Sequence, residues 1–288
     1  MINSLWMLIN KKKSDHAHSF TKALQTLILI AGVGLLSACA RAENVGIIIA
    51  GSTSVQPFAE ALSEEFMKLY PDIIIDVQGG GSSAGIKSAQ TNTADIGMSS
   101  RSLKEDEMDL WSFEMARDGL VVILHPSNPI HNLTLQQVRD IYSGVINNWK
   151  QLGGVDKEIH VITREEGSGT RSAFESLVMG DSEINPRSIV QDSNGTVIQL
   201  TKDDAYAIGY ISLGLVNEFI KAVELDGVKA SHDNVLNGTY NLSRPFLFVS
   251  SQEPTGDVKK FIDFVNSDEG KAILNREGLV TFKNEDAE

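Results

Sequence analysis

Three apolar runs of β character, Val45–Ala50, Ile73–Val77 and Ile159–Thr163, each end in a loop of glycine and hydroxyl residues and then pass into a stretch with helical periodicity. The loops are Gly51-Ser52-Thr53-Ser54, Gly79-Gly80-Gly81-Ser82-Ser83 and Gly167-Ser168-Gly169-Thr170. Strand, short loop and helix, repeated in that order, restrict the chain to α/β architectures with mostly parallel sheets. Ligands of such sheets sit at the carboxyl ends of the strands. A loop of this kind also exposes backbone N–H groups at the positive end of a helix dipole. Glycine lets an anion approach that backbone, and hydroxyls add donors. Any one of these loops is explained by an ordinary helix N-cap. Three together, with Arg164 just before the third, point to an oxyanion held by neutral donors and one guanidinium.

The remaining periodicity extends the pattern. Pro57–Tyr70 reads as an amphipathic helix with Phe58, Ala61, Leu62, Phe66 and Leu69 on one face. Ser83–Gln90 starts a helix and Ala94–Met98 is a short strand. Gly119–Leu124 is an apolar strand that ends in the turn-rich His125-Pro126-Ser127-Asn128-Pro129. Beyond it come helix Leu135–Tyr142, helix Arg171–Val178 and strand Ala207–Ile211. An apolar strand near Leu242–Val249 is expected to be broken by Pro245, and helices Asp257–Asn266 and Gly270–Arg276 follow.

The N-terminal segment has the layout of a secretory signal. Lys11, Lys12, Lys13 and Lys22 precede an apolar run from Ala23 to Leu36, shorter than the ~20 residues a membrane span needs. It ends in Leu36-Ser37-Ala38-Cys39, which resembles a bacterial lipobox and makes Cys39 the expected lipid-attachment residue. Cys39 is also the single cysteine, so no internal disulfide forms and thiol catalysis or a cysteine metal cluster is not expected. Removing residues 1–38 removes four lysines and Asp15 and leaves 21 basic against 37 acidic residues, a net charge of −16. Such a surface argues against nucleic acid as a partner. It also gives no long-range attraction for an anion, so anion binding has to be local.

Four blocks, taken in order, carry a family resemblance. They are Gly51-Ser52-Thr53-Ser54-Val55-x-Pro57, Gly79 to Ile86, Ala94-Asp95-Ile96-Gly97-Met98-Ser99-Ser100-Arg101, and Arg164-Glu165-Glu166-Gly167-Ser168-Gly169-Thr170-Arg171. They resemble the phosphate-binding proteins of ABC phosphate importers, and Ala207–Gly214 resembles a later block of that family. The resemblance implies a type II, two-lobed periplasmic-binding-protein fold that closes on phosphate like a hinge. Each lobe would be a mostly parallel sheet flanked by helices. Two crossover strands, Gly119–Leu124 and Phe246–Val249, would join lobe one (43–123 and 244–288) to lobe two (124–243). Thr53 and Ser54 fall at the family's first-loop donors, and Ser82, with Ser83 beside it, at the second-loop donor. Arg164 matches the arginine that forks phosphate oxygens, and Ser168, Gly169 and Thr170 match the helix-start donors after it. Ser100 departs from the long-chain branch, where an aspartate accepts the hydrogen of phosphate and helps exclude sulfate. Glu166 is then either a partner of the helix dipole or a replacement acceptor. The resemblance further implies inorganic phosphate and ABC permease subunits as partners, a monomer, and no cofactor or metal; with the signal segment, the expected location is lipid-anchored to the cell membrane, facing the periplasm or cell exterior.

Competing readings are weaker. Gly81-Ser82-Ser83-Ala84-Gly85 satisfies the G-x-S-x-G elbow of serine hydrolases, with Ser83 as nucleophile and His232 as a late base. Arg164 and the third loop have no role in that scheme. Gly79-x-Gly81-x-x-Ala84 fits a loose dinucleotide fingerprint without a convincing acidic partner. A sensor or scavenger of phosphate, or a binder of another tetrahedral oxyanion, remains on the same scaffold. Arg101 and Arg171 are left between rim charge and ligand contact. The six histidines lack metal-ligand spacing and read as structural or surface residues, and Trp111 and Trp149 as packing residues.

Overall fold

The computed structural model describes residues 46–282. The signal segment and Cys39 lie outside the described residues. The chain alternates strands and helices from its start: β1 (Ile47–Gly51), α1 (Gln56–Leu69), β2 (Ile75–Gly79), α2 (Ser82–Gln90) and β3 (Ile96–Ser99). Pro57 sits in the first turn of α1, where its missing N–H would have no intrahelical partner. Phe58, Ala59, Leu62 and Phe66 form the buried face of that helix, whereas Leu69, at its last position, is exposed.

β4 (Trp111–Leu124) is much longer than the apolar run that announces it. Its first half alternates apolar and polar residues, and Asp118 interrupts the pattern before Gly119. A second unit follows: α3 (Leu135–Ser143), β5 (His160–Arg164), α4 (Gly169–Phe174), β6 (Ile189–Gln191), α5 (Asn194–Asp203) and β7 (Ala207–Ser212). Neither β6 nor α5 is evident in the sequence. Ile189 and Val190 are exposed on an edge strand, and among the apolar residues of α5 only Val197 is fully buried, so neither element carries a strong apolar period. β8 (Ser243–Ser250) then returns, followed by α6 (Gly256–Val265) and α7 (Asp268–Arg276). Pro245 does not break β8. It pairs with Arg117, whose carbonyl needs no donor from residue 245 because it accepts from the Val280 N–H at 3.0 Å, while the Arg117 N–H donates to the Val280 carbonyl at 2.7 Å.

The strands form one sheet in the order β2-β1-β3-β8-β4-β7-β5-β6, with the short strand Lys221–Ala222 added to β4. The outer pairs on both sides are parallel, and the pairs around β8 and β4 are antiparallel. β8 and β4 run beside each other from Ser243–Gly119 to Ser250–Trp111, with one register shift after Phe246. Two hydrophobic clusters share these central strands. One gathers Ile47, Phe58, Phe66, Met98, Ala116 and Phe246. The other gathers Leu120, Tyr142, Trp149, Phe174, Tyr210 and Leu242. Both strands therefore pass from one cluster to the other within four residues, at Arg117–Gly119 and Ser243–Pro245. Trp149 is a packing residue, with its indole N–H on the Tyr206 carbonyl at 2.9 Å, and Trp111 stacks against Phe113.

Candidate functional site

The loops at the carboxyl ends of β1, β2 and β3 meet because small residues permit it. Gly51 adopts φ +140°, and a Cβ there would lie 2.9 Å from Gly85 Cα in α2. Gly81 starts α2 at φ +86°, and a Cβ there would lie 3.0 Å from the Gly167 carbonyl of the third loop. Both positions demand glycine. The third loop also comes close from the other side. The Ser83 N–H donates to Gly167 O at 3.2 Å, and a Cβ on Gly169 would collide with Ser82 Oγ and fall 2.6 Å from Ser100 Oγ.

A chain of buried hydroxyls lines the first side. Ser52 Oγ donates to Ser100 Oγ at 2.8 Å, Ser100 Oγ is 3.3 Å from Ser82 Oγ, and the Ser100 N–H donates to Ser82 Oγ at 3.0 Å. Ser54 reaches across to the third loop, with its Oγ 2.7 Å from Thr170 Oγ1. Ser168 caps α4, accepting from the Arg171 N–H.

Arg164 ends β5 and is almost wholly buried. Its guanidinium forks Glu165 through two 2.9 Å bonds and donates to the Asp192 carbonyl at 3.0 Å and to Thr53 Oγ1 at 3.2 Å. Its main-chain N–H donates to the Tyr210 hydroxyl. Burial pushes that phenol up to about 12, so it stays neutral and holds the strand end in place. Nη1 of Arg164 is buried without a protein partner.

A second guanidinium enters from the crossover. Arg244 of β8 donates to Asp118 of β4 through Nε at 3.1 Å and Nη2 at 3.0 Å, and Nη2 also reaches Ser54 Oγ at 3.2 Å. Asp118 further accepts from the Ser212 hydroxyl at 2.7 Å and the Leu213 N–H at 3.1 Å. Burial raises the Asp118 carboxyl and lowers the Arg244 guanidinium, and these hydrogen bonds oppose both shifts. Arg244 Nη1 is likewise buried without a partner. Asn194, the first residue of α5, donates through Nδ2 to Ser54 Oγ at 2.9 Å and toward Thr53 Oγ1 at 3.4 Å, while its Oδ1 is buried and unpartnered.

The structure thus brings together Thr53, Ser54, Ser82, Ser100, Arg164, Ser168, Gly169 and Thr170, with Ser83 half-buried beside them. Arg101 is spent elsewhere, forking Glu107 at 2.7 and 2.9 Å. Arg171 turns to Glu175 and to the Arg164 carbonyl. Glu166 is exposed, and it is Glu165 that meets the arginine. His232 lies near Asp233 on the short helix His232–Leu236, and no hydrogen bond among the described residues joins it to Ser83. Sequence reasoning missed Ser52, Asn194, Asp118 and Arg244, and the expectation of one guanidinium becomes two. The last pair had a signal: Asp118 directly precedes the apolar run Gly119–Leu124, and Arg244 is the one charge in the run Leu242–Val249.

Comparison with known proteins agrees with this geometry. Residues 36–269 match the model of the PBP superfamily domain. The phosphate-binding protein PstS of Bacillus subtilis is 31% identical over 81% of this chain and 80% of its own. A putative phosphate ABC transporter substrate-binding protein from Clostridium perfringens, solved with bound phosphate, is 45% identical, with a TM-score of 0.80 over 82% of this chain and 99% of that one. An ABC-type phosphate transport receptor from Vibrio cholerae is 39% identical, with a TM-score of 0.69 over 82% and 100%.

Proposed function

The chain belongs to the family of phosphate-binding proteins named PstS, within the PBP superfamily, and from that premise we propose that it captures inorganic phosphate and delivers it to an ABC transporter. The carrying observation is a cluster in which two buried guanidiniums each keep Nη1 unpartnered beside hydroxyls from three loops. An oxyanion with four oxygens is matched by that donor set, because charge-assisted hydrogen bonds to guanidinium are the stronger class. Thr53, Ser82, Ser100, Thr170, Arg164 and Arg244 are the proposed donors. Ser54 and Ser168 hold them in place, Gly169 supplies backbone, Ser83 ties the second loop to the third through its N–H on Gly167 O, and Asn194 lines the same cluster.

The two hydrophobic clusters support two lobes that close on the ligand, with the hinge where β4 and β8 pass between the clusters, beside Asp118 and Arg244. Export, a lipid anchor on Cys39 and action as a monomer belong to the same proposal and rest on the sequence motif and the family. No helix among the described residues is long and apolar enough to cross a membrane. Titration calorimetry of the purified protein with phosphate, arsenate, sulfate and molybdate tests the reading. Phosphate should bind tightly and sulfate weakly. Heat absent with phosphate but present with another oxyanion would assign the site to that anion instead.

A further inference from the structure

The hydroxyls of the cluster can be counted bond by bond. Ser54 Oγ faces Asn194 Nδ2 and Arg244 Nη2, both of which can only donate. They take its two lone pairs, so its own hydrogen goes to Thr170 Oγ1, and the Thr170 hydrogen is left over. Thr53 Oγ1 accepts from Arg164 Nη2 and Asn194 Nδ2, which leaves its hydrogen over as well. Ser100 accepts from Ser52, and Ser82 accepts from the Ser100 N–H. The remaining hydrogen between Ser82 and Ser100 can run either way, and each way leaves one hydroxyl hydrogen unspent. Together with the two free Nη1 groups, the cluster is a surplus of donors.

Against that surplus stands one buried acceptor that cannot become a donor by rotating its hydrogen, Asn194 Oδ1. We infer that Asn194 Oδ1 accepts the hydrogen of bound phosphate and so sets the preference for phosphate over fully deprotonated oxyanions such as sulfate. This rests on the phosphate reading above. Near neutral pH phosphate keeps at least one hydrogen and sulfate keeps none. A hydroxyl such as Ser100 can turn its hydrogen toward sulfate and lose little. An amide oxygen facing a sulfate oxygen stays unpaired and buried, which is costly. Asn194 would thus do without charge what a carboxylate does elsewhere in the family. The nearby carboxylates are less suited, Asp118 included, since its oxygens already accept from Arg244, Ser212 and the Leu213 N–H. Glu166 is exposed, and both oxygens of the partly exposed Glu165 are already on Arg164.

The test is the ratio of phosphate to sulfate affinity, measured by calorimetry from pH 5 to 8 on wild type, Asn194→Ala, Asn194→Asp and Glu165→Gln. A purely structural role for Asn194 weakens both anions in parallel and leaves the ratio alone. The inference expects Asn194→Ala to lower the ratio by about tenfold or more. Asn194→Asp keeps an acceptor and adds charge, so it should keep or raise the ratio and move phosphate binding to lower pH. An unchanged ratio in Asn194→Ala, or a collapsed one in Asn194→Asp, overturns the assignment. So does a wild type that binds sulfate as well as phosphate, or a collapse confined to Glu165→Gln. If Asn194→Ala does not fold, the aspartate variant decides. A wild type that binds no phosphate sinks the functional reading itself, a result distinct from all of these.

Discussion

Arg164 and Arg244 present nearly the same face to the cluster and depend on the protein in opposite ways. Each is buried, each touches a hydroxyl of the first loop, and each leaves Nη1 unpartnered. The counter-ion of Arg164 is its neighbour Glu165, whose side chain is 31% exposed. The counter-ion of Arg244 is Asp118, 126 residues away and 0% exposed. Water can take over from Arg164 at Glu165, and nothing can take over from Arg244 at Asp118. One arginine is an attachment to the binding loop. The other is also a pin through the two central strands, so the proposed binding and the stability are joined there.

The sharpest way to break this contrast is Arg244→Ala. It strands a buried carboxylate, a loss of roughly 3–5 kcal/mol for buried ion pairs. Urea unfolding without ligand should show a large fall in midpoint. The double change Arg244→Met with Asp118→Leu should restore most of the stability while phosphate affinity stays low. A wild-type midpoint in Arg244→Ala would show that Asp118 finds water and that the pin is not structural.

Arg164→Ala should do the reverse. Loss of charge-assisted bonds worth roughly 1.5–3 kcal/mol predicts phosphate affinity about ten- to a hundredfold weaker. The ligand-free unfolding free energy should fall by less than about 1 kcal/mol, since Glu165 is left partly solvated. Calorimetry and unfolding on the same preparation decide, and unchanged affinity removes Arg164 from the site.

The smallest effect concerns a pair that leaves the ligand alone. Arg101 beside Glu107 holds that carboxyl below its usual value near 4.5. Folding therefore gains from the charge above that pH, and the gain is lost as pH falls through the depressed folded value. Glu107→Gln should lower stability by about 1–2 kcal/mol at pH 7. The difference from wild type should shrink below pH 4. A difference that persists at pH 3 would mean that shape, not charge, is what Glu107 contributes.

The same contrast explains what could be read in advance. Arg164 was legible because its loop, counter-ion and helix are contiguous, and Thr53, Ser54, Ser82 and Thr170 were legible for the same local reason. Asn194 was hidden because α5 buries little apolar surface and begins after a short exposed strand. Glu165 was passed over for Glu166 because the direction of a side chain in a loop depends on φ and ψ, which residue type does not reveal. Pro245 looked like a break because a strand proline costs a ladder bond. Its partner Arg117 finds Val280 instead.

By itself the sequence determined the alternation of strands and helices, the order of the glycine-hydroxyl loops and the donor groups those loops carry. All of these rest on interactions between residues a few positions apart, where apolar period, turn chemistry and helix capping act. Only the tertiary structure decided which donors converge, that a second guanidinium joins the first, and that one amide oxygen is left to accept. Those depend on two strands crossing side by side and on a buried charge finding its partner 126 residues away. Burial makes such pairing obligatory, and local sequence does not record which residues will be buried together.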